Sequence, residues 1–339
     1  MAVTSADVAA EAGVSKATVS RAFGMPDRVN AATRTHVLEV AERLGYVPDP
    51  APRSTRTGSV GLIVPDIVNP FFPPMIKAVQ RRARSRNYGI YLADSDAHSG
   101  EEAEAVADMS KQVDGLIFWS SRLPAETLID IAGRVPTVLV NRSAGGLPTV
   151  VASSEDGMRQ AVEHLYALGH TRCAYVNAPR NVWSNQHRRS AVRRTCKALG
   201  MELVELGPFA QSVEGGIQAA DIVAAHGVTA AVANNDLVAI GLMQQLANRG
   251  LSVPGDISVV GVDDTFVASL CRPRLTTVRI PVDEIGALAV DLLLNVIQSG
   301  DKADTAPVEV DTQLIVREST GPATTKVHWP SRPLPNQDH

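Results

Sequence analysis

Lys16, Ala17, Ser20 and Arg21 stand at spacings that share one face of a helix, while Val19 and Ala22 turn to the other. Residues of these types, exposed together, can read DNA bases. Arg21 can donate a bidentate pair to guanine, Lys16 can reach guanine acceptors, and the Ala17 methyl can touch that of thymine. Ser15, Thr18, Ser20, Asn30 and Thr33 carry short polar side chains suited to phosphate oxygens, contacts that set register.

The flanking pattern supplies the elements that must hold them. Thr4 or Ser5 can cap a first helix whose inner face carries Val8, Ala9 and Ala12. Gly13 stops that helix with a left-handed turn, and Ser15 caps a second from Lys16 to about Phe23. A third, amphipathic helix from Ala31 to Leu44 brings Val37, Leu38, Val40, Ala41 and Leu44 over the small core. The result is a small all-α helix-turn-helix headpiece over residues 1–47, its second helix shaped for the major groove. A ligand-free helical bundle is the plainer alternative.

Charge alone does not decide between them. The 339-residue chain carries 32 basic and 36 acidic residues, and residues 1–58 hold seven basic against six acidic. A single, nearly neutral headpiece binds DNA weakly, so two copies reading two half-sites are expected. Enzyme signatures are missing: the eight histidines are scattered, and there is no zinc-protease, nucleophile-elbow, phosphate-loop or dinucleotide motif. The three cysteines, Cys173, Cys196 and Cys271, lack metal-ligand spacing and suit a reducing compartment. No catalytic set, metal or cofactor is expected. Neither a signal-peptide core nor a membrane-length apolar run is found, so a cytoplasmic protein without a membrane partner is expected.

Residues 48–58, with proline at 48, 50 and 52 and glycine at 58, read as a linker. From Ser59 onward apolar runs alternate with helical patterns. Val60–Val64, Tyr88–Ala93, Leu116–Trp119, Thr137–Val140, Cys173–Val176, Ala230–Ala233 and Ile257–Val262 read as buried parallel strands. Such alternation predicts doubly wound α/β architecture with ligands outside the carboxyl ends of the strands. Residues 321–339, rich in proline, serine and asparagine, read as a disordered tail.

Several polar groups follow those strands. Asp66 and Asn69 either face a pocket or cap the next helix, with Phe71 and Phe72 as its wall or its start. Asp94 and Asp96 suit sugar hydroxyls, or equally the N-terminus of a helix. Trp183 ahead of Arg188 offers a flat face beside a guanidinium, an arrangement that grips pyranose rings; packing and a salt bridge are the alternative. Trp119 and Phe266 are better read as core packing.

The residues Asp7-Val8-Ala9, Ala12-Gly13-Val14-Ser15, Thr18-Val19-Ser20-Arg21, Val29, Thr33-Arg34 and Leu44-Gly45-Tyr46-Val47-Pro48 agree in register with one family. The chain resembles the lactose-repressor (LacI/GalR) family of bacterial transcription regulators, and the likeness continues to about residue 320. The resemblance implies a periplasmic-binding-protein-like effector domain over residues 59–320, made of two doubly wound parallel-sheet subdomains. Crossovers between them are implied near Ser153, Arg279 and Pro307. It implies a hinge at Arg53, Ser54 and Thr55, where Thr55 replaces a leucine that wedges into the minor groove. It places effector contacts on Phe71, Phe72, Asn141, Arg188, Asn235 and Asp263, to which the residue types add Asp94 and Trp183; Arg142 would clamp the lobes and Asp236 cap a helix.

The function these features imply is a repressor of the homodimeric kind, bound to a palindromic double-stranded operator and switched by a small effector, a sugar. The helices Phe72–Arg86 and Val282–Ile297 would form the dimer interface. A nucleobase co-repressor, a solute-binding protein for transport and a sugar-directed α/β enzyme are the alternatives.

Overall fold

The computed structural model describes residues 3–24, 29–46, 56–299 and 306–324. It divides into two units, Met1–Thr57 and Gly58–His339. Arg53, Ser54 and Thr55, expected at the hinge, lie outside the described residues.

The first unit is built from α1 (Ser5–Glu11), α2 (Lys16–Gly24) and α3 (Ala31–Leu44). Thr4, not Ser5, caps α1: its hydroxyl accepts from the Asp7 amide while the Asp7 carboxylate takes the Thr4 amide, a reciprocal capping box. Those bonds hold the Asp7 carboxyl below its ordinary pKa. Gly13, at φ 65°, makes the turn into α2. Val8, Ala9, Ala12, Val19, Ala22, Val37, Val40 and Ala41 form the buried core. Leu44 packs against it half-buried, as expected, and Leu38 is half-buried. Phe23 and Tyr46 close the open end edge to face, with ring centroids 5.9 Å apart.

The second unit contains two six-stranded sheets, one in each lobe. The first sheet holds β1 (Ser59–Val64), β2 (Gly89–Asp94), β3 (Gly115–Trp119), β4 (Thr137–Val140), β5 (Thr149–Ser153) and β11 (Val308–Asp311), in the order β11-β5-β4-β3-β1-β2. The second holds β6 (Arg172–Val176), β7 (Glu202–Leu206), β8 (Ala230–Ala233), β9 (Ser258–Asp263), β10 (Thr276–Arg279) and β12 (Gln313–Ile315), in the order β12-β10-β9-β8-β6-β7. All pairs are parallel except β12 on β10, so both lobes have the doubly wound parallel sheet that the resemblance implied, the second with one antiparallel edge strand.

Helices cover both faces of each sheet, which is why the central strands are continuous apolar runs. α4 (Phe72–Ser85) and α12 (Val282–Ser299) share one face of the first sheet, and α5 (Ser99–Met109) and α6 (Ala125–Ala132) cover the other. α7 (Ser154–Ala167) and α8 (Trp183–Leu199) lie on one face of the second sheet; α9 (Val213–Ala225) and α10 (Asp236–Asn248) lie on the other, and the short α11 (Phe266–Leu270) follows β9. α4 and α12, expected between copies of the chain, pack on each other. Asp291 of α12 takes Arg82 and Arg86 of α4, and a Cβ on Gly286 would stand 3.0 Å from Ala78 Cβ.

The chain crosses between the lobes three times: after Ser153, after Arg279 and at Thr312. The third crossing falls after β11, beyond the expected Pro307, because Val308–Asp311 adds a strand to the first sheet before leaving it. The Thr312 hydroxyl ties the crossings together, donating to the Ser153 carbonyl at 2.6 Å and accepting the Gly157 amide at 3.2 Å. Beyond them the expected tail begins inside packed structure: Gly321 bonds the Ser258 hydroxyl, and the Ala323 amide donates to the Leu168 carbonyl.

Two features of the second lobe depend on single residues. α9 and α10 touch through glycines: a Cβ on Gly216 would lie 2.1 Å from the Val238 carbonyl oxygen, and one on Gly241 would lie 1.9 Å from that of Val213. Gly241→Ala is therefore expected to force the helices apart at a cost of about 1–3 kcal/mol, read as a lowered midpoint in urea unfolding.

Asp236 is fully buried and joins α10 to β9 and β10. Its carboxylate accepts from Thr277 Oγ1 and from both the amide and the hydroxyl of Thr265. Burial pushes its carboxyl up to about 6, against those hydrogen bonds and with the Asp264 charge adding to the rise. The folded chain thus holds this proton more tightly than the unfolded chain, whose ordinary value is 3.8. The stabilisation is complete below that lower value and is lost as pH rises through the folded one. Asp236→Asn removes the titration. Wild-type minus variant stability should fall between pH 4 and 6 at up to about 1.4 kcal/mol per unit, measured by urea unfolding at each pH.

Candidate functional site

On the first unit, Lys16, Ala17, Ser20 and Arg21 are all exposed along α2, opposite the buried Val19 and Ala22. The Arg21 side chain lies along its own helix, with Nε donating to the Ala17 carbonyl at 3.0 Å. Ser15 and Asn30 sit at the N-termini of α2 and α3. The Ser15 hydroxyl accepts the Thr18 amide at 3.1 Å and lies 2.9 Å from the Thr18 hydroxyl; Asn30 Oδ1 accepts the Ala32 amide at 2.9 Å. Their acceptor sites are thus used in capping. The hydroxyl hydrogens and the positive helix ends remain suited to phosphate. Thr33 is half-buried beside them.

In the second unit a cleft of about 360 Å³ lies where strands from both sheets end. It collects Phe71, Phe72, Asn141, Arg188, Asn235 and Asp263 from the expected set, together with Asp66 and Asp96. Phe71 meets Phe72 and Trp119 edge to face, at centroid distances of 5.2 and 6.4 Å, so the aromatic wall is braced by the first lobe's core. Asp66 is on the wall and also folds the loop beneath it: its Oδ1 accepts the amides of Val68 and Asn69. It does not cap α4, whose N-cap is Phe71 with no side-chain cap bond.

Arg188 and Asp263 make the floor. Both are buried, their nearest charged atoms are 3.6 Å apart, and the guanidinium also donates to the Asn234 carbonyl. Burial pushes the Asp263 carboxyl well above the carboxylate range, Arg188 opposes this, and Asp236 adds to it. Asn141 Oδ1 accepts the Ala152 amide at 2.8 Å, and Asn235 Oδ1 caps α10 through the Val238 amide at 2.9 Å. Each of these side chains is therefore oriented by a bond on the protein side.

Two expected residues stand elsewhere. Asp94 is not on the cleft wall: its oxygens accept the Ile67 and Asp96 amides and fasten the two loops that follow β1 and β2. Trp183 is not on this wall; it lines a smaller recess with Asn141, Ser184 and Arg188 and the flank of the crossings, its ring tilted 40° to that of His187 with centroids 3.9 Å apart. Arg142 donates to the Leu123 carbonyl within its own lobe, so its side chain does not clamp the two lobes.

Ser120, Arg122, Gln211 and Ser212 line the cleft and were not anticipated. The first two follow β3, where the rule for strand ends points. The other two follow β7, whose half-buried Glu-Leu-Val-Glu-Leu hides the strand that would have located them. Five wall residues, Asp96, Ala97, Ser120, Asn141 and Asp263, have positive φ, a backbone cost that concentrates at binding sites.

Residues 4–49 match the model of bacterial regulatory proteins of the lacI family, and residues 162–320 match a periplasmic binding protein-like domain. The chain is 33% identical over 333 residues to the HTH-type transcriptional repressor CytR of Escherichia coli (strain K12), covering 94% of this chain and 96% of that one. Among solved structures, the lac repressor dimer bound to operator and the anti-inducer ONPF matches with a TM-score of 0.70 at 27% identity, over 95% of this chain and 100% of that one. The complex of the transcriptional regulator CelR with cellobiose matches with a TM-score of 0.70 at 29% identity, over 94% and 99%. With a DNA-reading helix on one unit and a polar two-lobed cleft on the other, this chain belongs to the LacI family of bacterial transcription regulators.

Proposed function

We propose that this regulator is a cytoplasmic repressor that binds a palindromic operator as a homodimer, and that a sugar bound between its lobes sets its affinity for DNA. The observation that carries the reading is the cleft, which gathers an aromatic wall, two side-chain amides and a buried arginine–aspartate pair at the strand ends of both lobes. Planar apolar rings beside paired polar groups suit a pyranose, and a structural relative is described with cellobiose. Such a ligand shifts the lobe equilibrium because it touches both walls only when they are close.

The dimer rests on two features. The headpiece is almost charge-balanced, so one copy lacks the phosphate affinity a regulator needs. The large unit also leaves Ile67, Val68, Tyr91 and Leu92 exposed on the first lobe, and Phe266 and Leu270 on the second. These apolar residues join α4 and α12 as candidates for the contact between copies.

Arg188→Ala should abolish the response to sugar while leaving operator affinity without sugar within about twofold of wild type, a difference of under ~0.5 kcal/mol. A thermal-shift panel of sugars and purines finds the ligand, and calorimetry with the variant then tests the pocket. Unchanged ligand affinity would refute it, and a purine hit would favour a nucleobase co-repressor. Arg21→Ala should cost about 1–3 kcal/mol on the specific operator and relax preference at one base pair. Equal losses on specific and random DNA in a fluorescence-anisotropy titration would remove Arg21 from base readout.

A further inference from the structure

Away from the three crossings, one side-chain hydrogen bond joins the lobes among the described residues: Arg122 Nη2 donates to Gln211 Oε1 at 3.2 Å. Arg122 follows β3 in the first lobe, Gln211 precedes α9 in the second, and both stand on the cleft wall. Each is anchored from behind. The Arg122 amide donates to Oε2 of Glu102, a residue of α5 that is only 1% exposed. The Gln211 carbonyl accepts from Asn235 Nδ2 at 3.4 Å, and Asn235 itself caps α10. A polar chain therefore runs from α5 through the cleft to α10. Burial lowers the Arg122 pKa and raises that of Glu102, and attraction between the two charges opposes both shifts.

We infer that Arg122 and Gln211 latch the cleft shut and select an effector that places a hydrogen-bond acceptor, such as a sugar hydroxyl, against Arg122. The inference rests on the reading of this cleft as the effector site. A guanidinium only donates, whereas the glutamine amide offers both an acceptor oxygen and an NH2 donor. A hydroxyl inserted between them accepts from Arg122 and either donates to Gln211 Oε1 or accepts from Gln211 Nε2. An ammonium only donates, and the arginine repels it. It leaves the desolvated guanidinium without its partner, the mismatch on which binding sites discriminate most strongly. With no guest the two residues satisfy each other.

The test uses the full chain with spin labels at Glu126→Cys and Gln218→Cys, one on each lobe, in a Cys271→Ser background, and reads interlobe distances by pulsed electron resonance. Without added sugar, Gln211→Ala should shift the distribution to longer distances and broaden it. Gln211→Glu, which offers Arg122 a carboxylate, should keep the wild-type distance. Identical distributions for wild type and Gln211→Ala overturn the latch.

Cellobiose and ammonium chloride are then added at equal concentrations. Cellobiose should change the wild-type distribution and ammonium should not; an ammonium response equal to or larger than that to cellobiose overturns the selection. Opening by Gln211→Ala with no response to cellobiose supports the latch and counts against the sugar reading, so the two failures are distinguishable.

Discussion

Three chain crossings held together by the hydroxyl of Thr312 constrain everything else in the large unit. Because β11 returns to the first sheet and β12 to the second, neither lobe is a continuous stretch of chain, and neither can slide past the other. What remains is a change of angle about Ser153, Arg279 and Thr312. Gly157 is required at this point, since a Cβ there would meet Thr312 Oγ1 and Val278 Cγ1 at 2.4 Å. A side chain would pry apart the crossings on which the angle depends. Motion of that kind alters the cleft most at its mouth, where Arg122 faces Gln211, and least near its floor.

The floor is costly to build. Arg188 and Asp263 lose water, and their attraction offsets that loss only in part, since burial still holds the Asp263 carboxyl above its ordinary value. Asp236 lies close enough to raise the Asp263 carboxyl, so the charges behave as one group rather than as separate contacts. The chain meets this cost by spreading it. Asp236 is satisfied by Thr265 and Thr277, Arg188 by the Asn234 carbonyl as well as by Asp263. A floor held this way keeps its geometry when a ligand arrives, which favours recognition over adaptation.

The helix-turn-helix was legible almost residue by residue, since α2 and α3 begin where their capping residues and periodicity place them. Buried parallel strands were equally plain wherever both faces are covered. The failures share a physical cause. β7 is an edge strand, so its outer residues mix polar with apolar and blur the run; β2, found as a strand, is also an edge and is exposed where burial was expected. Short strands such as β10 and β12 carry too few residues to announce themselves. Trp183 shows a different limit. Sequence places an indole just ahead of Arg188, and both line one recess, but the larger cleft wall takes Val182 and Ser184 on either side of it instead. Positive φ at Ser120, Asn141 and Asp263 was likewise invisible, because none is glycine. Asp94 was read for its charge, and its charge is used to fasten loops.

The same distinction between what a residue is and where it is held explains the headpiece. Its near-neutral balance looks unsuited to DNA only if charge is counted over the whole unit. The acids have local work: Asp7 closes the capping box of α1, and Glu11 pairs with Arg43 to join α1 to α3. Lys16 and Arg21 form no ion pair among the described residues, and both are exposed on α2. The unit thus keeps its positive charge on the reading helix and spends its negative charge on its own stability. On the proposed reading, such a surface binds phosphate weakly and base contacts supply a larger share of the free energy. Weak general affinity with strong local readout would favour discrimination, and it would make the pairing of two headpieces a condition of binding rather than an addition to it.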